Sequence, residues 1–263
     1  MKNCFVAFQS NIEGIEIPNR LNNPFGKEVP VISQIAANEL QTYISLNQKN
    51  WAHNFGFDDS LEQGVKGKMF GVLVVQNSIG ELGYLATFSG KLLNEDELGS
   101  FVPSVFNPAV DDFFINKGMR ALTQISSDIK KLEAQSSMVH KEEVIALKLK
   151  RKNKSNQLQT QLFSNYYFTN LKGKTENLIS IFANTPNIRP AAGTGECAAP
   201  KLLEYAVQNG YKPIAITEFW WGRSPKAVKR EHKSHYPACQ NKCRHLLEFM
   251  LNDFSLFEEA VML

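Results

Sequence analysis

The sequence predicts an α/β fold in which helices cover a small mixed sheet in a three-layer arrangement, with a long helical insertion. Residues 69–76 and 82–89 are two short β-branched and aromatic runs around a turn-like Asn77–Gly80, which predicts a hairpin. Residues 119–168 carry apolar residues at helical spacing in a polar background. Residues 198–254 then predict helix, strand and helix in turn.

Composition excludes several classes of protein. The chain has 263 residues, of which 43% are hydrophobic and 21% charged, which is typical of a folded protein and not of a disordered one. The net charge of +3 is too small for binding of nucleic acid by overall charge, so only a local basic patch would support it.

The chain shows neither a membrane span nor a secretory signal. No stretch approaches 18 apolar residues, and the first twenty residues lack a basic start followed by an apolar run. Four cysteines are too few for a disulfide-rich secreted scaffold. We therefore expect no membrane partner and a cytoplasmic location.

The first part of the chain, residues 1–118, holds a lead-in, a helix and the hairpin. Residues 31–48 place apolar side chains at helical spacing. Val72–Val75 is a continuous apolar run, which predicts a strand buried on both faces. Residues 91–118 predict a long connection, in which the segment FVPSVFNP packs on the core.

Residues 119–168 are the predicted insertion. Leu122, Ile125, Ile129 and Leu132 follow a 3-4-3 spacing, which indicates one long amphipathic helix or a helical hairpin of coiled-coil type. Such helices pack on themselves or on a second copy, so a homo-oligomer is one expectation. The basic run KLKRKNK, residues 148–154, is expected near a bend, as a solvated tip or a nucleic-acid contact.

The last part, residues 169–263, completes the α/β domain and carries three cysteines. A short helix is expected within residues 175–188. The turn AAGTGE, residues 191–196, leads into a helix that Gly210 ends, and Pro200 fits only in its first turn. The turn could bind an anion through its backbone N–H groups. Alternatively, the glycines are present only because the tight turn requires their backbone conformation.

The three C-terminal cysteines form the first candidate site. Cys239 and Cys243 are four residues apart, on one face of a helix that begins near Pro237. Cys197 directly precedes the other helix, after a glycine-rich turn. Three thiolates from two helix starts could hold zinc with one position open. Two other interpretations stay open, namely three idle thiols and a disulfide.

Two kinds of residue could complete such a zinc site. Glu196 is adjacent to Cys197 and could shuttle a proton for a water molecule activated by the metal, which makes it the candidate catalytic residue. His232, His235 or His245 could instead supply a fourth ligand and close the site as a structural one.

A basic segment beside two tryptophans forms the second candidate site. Trp220 and Trp221 end the predicted strand 212–222, and consecutive strand residues face opposite sides, so one indole is expected outside the core. Basic residues that contact phosphates and a ring that stacks on a base are what RNA binding requires. The candidate RNA-binding residues are Trp221, Arg223, Lys226, Lys229, Arg230 and Lys233.

Several of these segments resemble a known protein family. The blocks KMFGVLVVQ and GELGYLATFSG, the long block from Arg189 to Gly222 that contains GECAAPKLL and EFWWG, and HYPACQNKCRHLLEFML resemble the region that precedes the catalytic domain in a group of bacterial RluA-type pseudouridine synthases. The similarity covers roughly residues 30–252. In that group a charged coiled-coil segment separates the hairpin from the Gly-Glu-Cys block, as residues 119–168 do here.

This resemblance implies a role in RNA modification rather than pseudouridine synthesis by the chain itself. The aspartate motif of the synthase domain, of the form HRLDxxTSG, does not occur in this sequence. The chain would be the accessory region alone, free-standing or truncated, and a separate synthase catalytic domain is an implied partner.

A more distant similarity is to the zinc-dependent cytidine deaminase fold, which has the order hairpin, helix with a metal ligand, strand, helix with a cysteine pair. That pattern places a glutamate two residues after the first ligand and uses Pro-Cys-x-x-Cys. Here Ala199 stands two residues after Cys197, and the pair is CxxxC after Pro-Ala. Glu196 would have to supply the proton transfer from the other side of the ligand.

The sequence thus leads to three functional hypotheses. The first is an accessory module of RNA modification that binds RNA or a partner. The second is a deaminase-like hydrolase that acts on a base, with zinc as the cofactor. The third is an oligomerisation module that acts through its helical insertion.

Overall fold

The protein has a mixed α/β architecture, described by a computed structural model. The predicted order of helix, hairpin, helical insertion, helix, strand and helix is confirmed. The structure describes residues 3–51, 53–57, 67–90, 92, 99–106, 113–135, 140–183, 185–186, 189–225 and 228–251.

Six α-helices lie within the described residues, and none of them is long and apolar enough to cross a bilayer. A single 3₁₀ turn follows the first helix. The helices are α1 (Val31–Asn47), α2 (Phe113–Ala134), α3 (Lys141–Phe163), α4 (Leu178–Ala183), α5 (Ala198–Gln208) and α6 (Gln240–Leu251).

The main sheet has five strands in the order β1-β3-β2-β6-β7, and β4 and β5 form a separate hairpin. The predicted hairpin is confirmed as β2 and β3, whereas β1, the β4–β5 hairpin and β7 were not predicted. The strands are β1 (Val6–Ala7), β2 (Lys68–Gln76), β3 (Leu82–Phe88), β4 (Tyr167–Thr169), β5 (Thr175–Asn177), β6 (Lys212–Trp221) and β7 (His235–Tyr236).

The expectation of a mixed sheet is wrong, because each pair of neighbouring strands is antiparallel. The chain leaves β3, passes through the insertion and α5, and enters β6 in the direction of β3. However, β6 pairs with β2 instead of β3. Strand β6 runs in the same direction as β3 but lies next to β2, which runs in the opposite direction. The pair β2 and β6 is therefore antiparallel.

The predicted three layers are present, with helices on both faces of the sheet. Helix α1 packs on β2 and β6 from one side, and α5 packs on β2, β3 and β6 from the other. Val72 and Val74 belong to the apolar cluster that includes α1, while Leu73 and Val75 belong to the cluster that includes α5 and α6. The apolar run of β2 is thus buried on both faces, as predicted.

The insertion is a pair of antiparallel helices, α2 and α3. Lys148 Nζ lies 2.8 Å from Glu133 Oε1 across the pair, and a Cβ on Gly118 would lie 2.6 Å from Leu158. The basic run 148–154 lies inside α3 and not near the bend where it was expected, because α2 ends at Ala134 and α3 begins at Lys141. Its coiled-coil character stays a prediction.

The connection after the hairpin packs on the core at its start. Phe101 and Val102 of the segment FVPSVFNP are buried, as expected, while its last two residues lie outside the described part of the chain. Helix prediction for 175–188 was right only in part, because Thr175–Asn177 is a strand and the helix ends at Ala183.

Gly71 allows the start of α5 to approach the central strands. A Cβ on Gly71 would lie 2.8 Å from the Ala198 Cβ and 3.4 Å from the Glu218 Cγ, and the first of these is shorter than side chains tolerate. This contact fixes the height of the α5 start above β2 and β6.

We predict that Gly71→Ala lowers the free energy of unfolding by about 1–3 kcal/mol, because the added methyl overpacks the contact with Ala198. Urea unfolding measures the change. Adding Ala198→Gly removes the opposing methyl, so the double variant should recover part of the loss. Additive effects of the two substitutions would show that the contact does not limit the approach of α5.

Candidate functional site

The candidate site lies where α5 and α6 begin, next to β6. Cys197 is the N-cap residue of α5, and Cys239 directly precedes α6, with its carbonyl accepting the N–H of Cys243 at 3.2 Å. Cys239 is thus one residue outside the helix where it was expected inside the first turn. Pro200 lies in the first turn of α5, as predicted, and Gly210 follows the helix with a φ of 68°.

The three thiols are neighbours, as the sequence predicted. They share hydrogen bonds, and each changes the pKa of the others. Hydrogen bonds from Cys197 and Cys243 lower the pKa of Cys239. The pKa of Cys197 is raised, first by its hydrogen bonds to Cys239 and Cys243 and then by burial.

Backbone amides at the two helix starts also donate to the sulfurs. The N–H groups of Asn241 and Lys242 lower the pKa of Cys239. A hydrogen bond from Cys197 and the N–H of Gly195 act in the same direction on Cys243, but its hydrogen bond with Cys239 and its burial raise its pKa overall. Gly195 has a φ of 88°, a left-handed conformation that glycine adopts without strain. Amide donors and helix N-termini are an environment that stabilises thiolates.

Within the described residues, no three His, Cys, Asp or Glu side chains are disposed as metal ligands. The thiols face one another through hydrogen bonds. The four cysteines are all free, so no disulfide forms here.

The three histidines considered as a fourth ligand each interact with another group. His232 Nδ1 accepts the N–H of Gly222 at 3.1 Å, and its ring packs against Trp221. His235 Nδ1 lies 2.9 Å from Thr217 Oγ1. His245 Nδ1 lies 3.0 Å from a carboxylate oxygen of Glu248 on the same helix. Among the described residues, none of the three forms a metal-ligand group with the thiols.

Glu196, the predicted catalytic residue, is held by hydrogen bonds from other segments of the chain. The Tyr166 hydroxyl donates to Oε1, and the Ser104 hydroxyl donates to Oε2 at 3.4 Å. Its carbonyl accepts the N–H of Gly90 at 2.7 Å. With both carboxylate oxygens engaged, Glu196 acts as a bridge between segments of the chain.

Glu218 on β6 is the carboxyl group that the sequence analysis missed. Its Oε1 accepts the N–H of Ala199 at 3.0 Å, and the side chain is buried. Burial raises the pKa of Glu218 to about 7, and the charge of Cys239 contributes in the same direction. Glu218 also raises the pKa of Cys197, so the carboxyl is close to the thiols.

A small cavity of about 90 Å³ adjoins Glu218. Its walls include Ala199, Thr217, Glu218 and His235, together with the segment around Asn23. This volume has room for a few water molecules or a small planar group. The carboxyl therefore lies between the cavity and the sulfur group.

The expectation that one tryptophan faces solvent is wrong, because both indoles are buried. Trp221 is 1% exposed and its Nε1 donates to Gln48 Oε1 at 3.0 Å. Trp220 is 9% exposed and its Nε1 donates to the carbonyl of Gly222 at 3.1 Å. Helix α1 and its 3₁₀ turn cover Trp221, so no ring face is available for a base to stack on.

The basic segment lies on the surface beyond β6. Arg223, Lys229 and Lys233 are exposed, and Lys226 lies outside the described residues. Arg230 is half-buried over the ring of Tyr236, at 4.1 Å from its centroid, and its charge lowers the pKa of Glu218. The segment is therefore close to the Glu218 side of the site.

One sequence signal could have identified Glu218. The strand KPIAITEFWW is otherwise apolar from Pro213 onward except for Thr217, and a carboxyl in a run predicted to be buried needs a partner. The partner is a backbone N–H at the start of α5, which the sequence alone does not place.

Comparison with family models, with curated proteins and with solved structures finds no match to this chain.

Proposed function

We propose that the protein is a zinc-dependent hydrolase of the deaminase type, which replaces the amino group of a nucleobase, or of a related amidine-like carbon, with oxygen. The observation that carries this proposal is the group of three thiols at two helix starts, next to a buried carboxyl. Perturbed ionisable groups in such a setting are typical of functional sites.

The donor set fits zinc in kind. Three sulfurs, of which those of Cys239 and Cys243 accept backbone N–H groups, are the soft ligands that zinc prefers, and three protein ligands leave a fourth position open. Cys197, Cys239 and Cys243 would hold the ion. When bound, zinc supplies Lewis-acid activation of water.

The location of Glu218 supports the deaminase comparison at the position where the sequence departs from it. The deaminase pattern places a glutamate two residues after the first ligand, and Ala199 occupies that position here. The N–H of Ala199 binds Glu218 Oε1, so the carboxyl of a neighbouring strand lies beside the backbone of residue 199. Glu218, and not Glu196, would therefore carry the proton.

The reaction balances without an oxidant or reductant. A water oxygen forms a bond to the ring carbon, the bond from that carbon to the amino nitrogen breaks, and ammonia leaves. Glu218 would take a proton from the water and give one to the leaving nitrogen, which is the role of a general acid and base near its own pKa.

We predict that the purified protein binds about one zinc ion per chain and that Cys239→Ser removes it, because a hydroxyl is a poor zinc ligand at neutral pH. Elemental analysis after gel filtration measures the metal. Cys4→Ser is the matched control, since Cys4 is buried in the same apolar cluster and its Sγ donates to the carbonyl of Phe101 at 3.4 Å. Equal zinc in both variants would contradict the site.

We predict that Glu218→Gln lowers the rate of ammonia release by about 10²–10⁴-fold while zinc stays bound, because the amide cannot transfer the proton. The assay uses cytosine and adenine nucleosides and short single-stranded RNA. Glu196→Gln should cost stability more than rate, because both its oxygens bind the chain. If Glu196→Gln lowered the rate more than Glu218→Gln does, Glu196 and not Glu218 would be the residue that transfers the proton. If zinc is bound but no substrate releases ammonia, the zinc site is supported and the deaminase activity is contradicted.

A second candidate function is an RNA-binding accessory module in RNA modification, and the exposed cations beyond β6 favour it. Arg223, Lys229 and Lys233 are exposed there, and no acidic residue except Glu231 lies within residues 223–233. In this function the chain would act beside a pseudouridine synthase domain, as its resemblance to the RluA-type accessory region implies. Phosphate contacts would carry the binding, since Trp221 is buried.

We predict that charge reversal of Arg223 and Lys229 weakens binding of single-stranded RNA and flattens its dependence on salt by about one unit of log–log slope per lost contact. Fluorescence anisotropy at several salt concentrations measures both. Reversal of Lys130 and Lys131, exposed on α2 and outside both basic segments, changes net charge equally. Equal effects of the two pairs would show that only total charge matters.

A further inference from the structure

An open groove lies along the helical insertion, between α2 and α3. Its volume is about 600 Å³. Leu122, three cations and three uncharged polar residues line it, and none of these described lining residues is acidic. The cations are Lys148, Arg151 and Lys152, and the polar residues are Ser126, Ser155 and Asn156. The groove therefore has the positive charge and the hydrogen-bonding groups that an anionic ligand requires.

The groove is open because the contact between the two helices changes from apolar to polar along their length. Leu158 of α3 packs against Gly118 of α2 near the ends that join the α/β domain. Arg151 and Ser155 lie on the same face of α3 as Leu158. Arg151 Nη1 donates to Ser126 Oγ at 3.5 Å, and residues 151–157 are all exposed. Helices that only packed on each other would carry apolar side chains on this face.

Positive charge is concentrated in the half of the insertion that contains the groove. Residues 113–127 of α2 and 144–163 of α3 contain no aspartate or glutamate. Their cations are Lys117, Arg120, Lys148, Lys150, Arg151, Lys152 and Lys154. The acidic residues of the insertion are all in its other half, and one of them, Glu133, lies 2.8 Å from Lys148. Lys148 is therefore partly neutralised, and the groove still lies in an excess of positive charge.

The side chains of the insertion favour a nucleic-acid duplex over a single strand. Residues 115–162 contain no phenylalanine, tyrosine or tryptophan. Proteins hold single strands largely by stacking bases on such rings, whereas a duplex keeps its bases inside and presents a dense array of phosphates outside. The hydroxyls of Ser126 and Ser155 and the amide of Asn156 are also suited to ribose 2′-hydroxyls, which only RNA has.

We propose that the α2–α3 groove binds the sugar–phosphate backbone of double-stranded RNA. Arg151 and Lys152 would contact phosphates, and Ser155 and Asn156 would bind ribose hydroxyls. Such contacts do not read the base sequence. None of the described residues that line the groove belongs to α5, α6 or β6, so this site is distinct from the thiol group and from the cations beyond β6. Binding here requires neither zinc nor Glu218.

Two duplexes of one sequence test the ligand class with the unmodified protein. A labelled RNA duplex of about 20 base pairs should bind about threefold or more tightly than the DNA duplex, because DNA lacks the 2′-hydroxyls. Its affinity should fall steeply between about 50 mM and 200 mM salt, because phosphate contacts release counterions. Fluorescence anisotropy measures both. DNA that binds as tightly as RNA, or no RNA binding up to about 100 μM protein, would overturn the proposal.

A matched pair of charge reversals tests the groove itself. Arg151→Glu with Lys152→Glu should weaken binding of the RNA duplex about tenfold or more and flatten its log–log salt dependence by about two units, because two phosphate contacts are lost. Lys130→Glu with Lys131→Glu changes the net charge equally at exposed positions of α2 outside the groove and should have a much smaller effect. Equal losses in the two variants would exclude the groove.

Two further variants separate this site from the sites considered above. Cys239→Ser and the reversal of Arg223 and Lys229 should both leave binding of the RNA duplex unchanged. A loss in either variant as large as in the groove variant would contradict a separate site. The groove variant should also lose more affinity for the duplex than for single-stranded RNA, and the opposite order would exclude the duplex as the ligand. Circular dichroism checks the helices, and the comparison of RNA and DNA in the unmodified protein decides if the groove variant does not fold.

Discussion

The architecture depends on the contact between the start of α5 and the central strands. Gly71 on β2 has no side chain to hold Ala198 away, and Glu218 on β6 binds the N–H of Ala199. These two contacts fix the start of α5 on the sheet. Gly71 allows the close approach because it has no side chain, and Glu218 holds the helix by a hydrogen bond. Cys197 directly precedes Ala198, so the two contacts with the sheet also determine where the Cys197 sulfur lies.

This arrangement concentrates partial positive charge where the sulfurs lie. The first N–H groups of α5 and α6 have no partners within their helices, and those that are near Cys239 and Cys243 donate to sulfur. The same property serves Glu218, whose oxygen takes the N–H of Ala199. Helix starts that would otherwise need capping side chains are thus satisfied by the groups of the candidate site.

Local sequence patterns predicted most helices and strands and part of the site. They could not predict which side chains would be buried by segments distant in the sequence. The apolar run Val72–Val75 and the turn Asn77–Gly80 predicted the hairpin. The placement of three cysteines at the starts of two predicted helices led to the prediction that they are neighbours. Alternation along β6 predicted one exposed indole, but α1 and the chain after Gly222 cover both. Strands as short as β1 and β7 have only two residues each, which is too few for any periodicity to show.

In the proposed function, Glu218 on the strand would take the role of the glutamate that the deaminase pattern places on the helix. A glutamate at position 199 would extend from α5 toward β6, where Glu218 already lies and where two buried carboxyls would repel each other. Ala199 leaves that space to Glu218 and offers its N–H to it. A carboxyl supplied by the strand can thus reach the same region as one supplied by the helix. A search for relatives of this kind of site should therefore compare positions in space and not the spacing of residues along the chain.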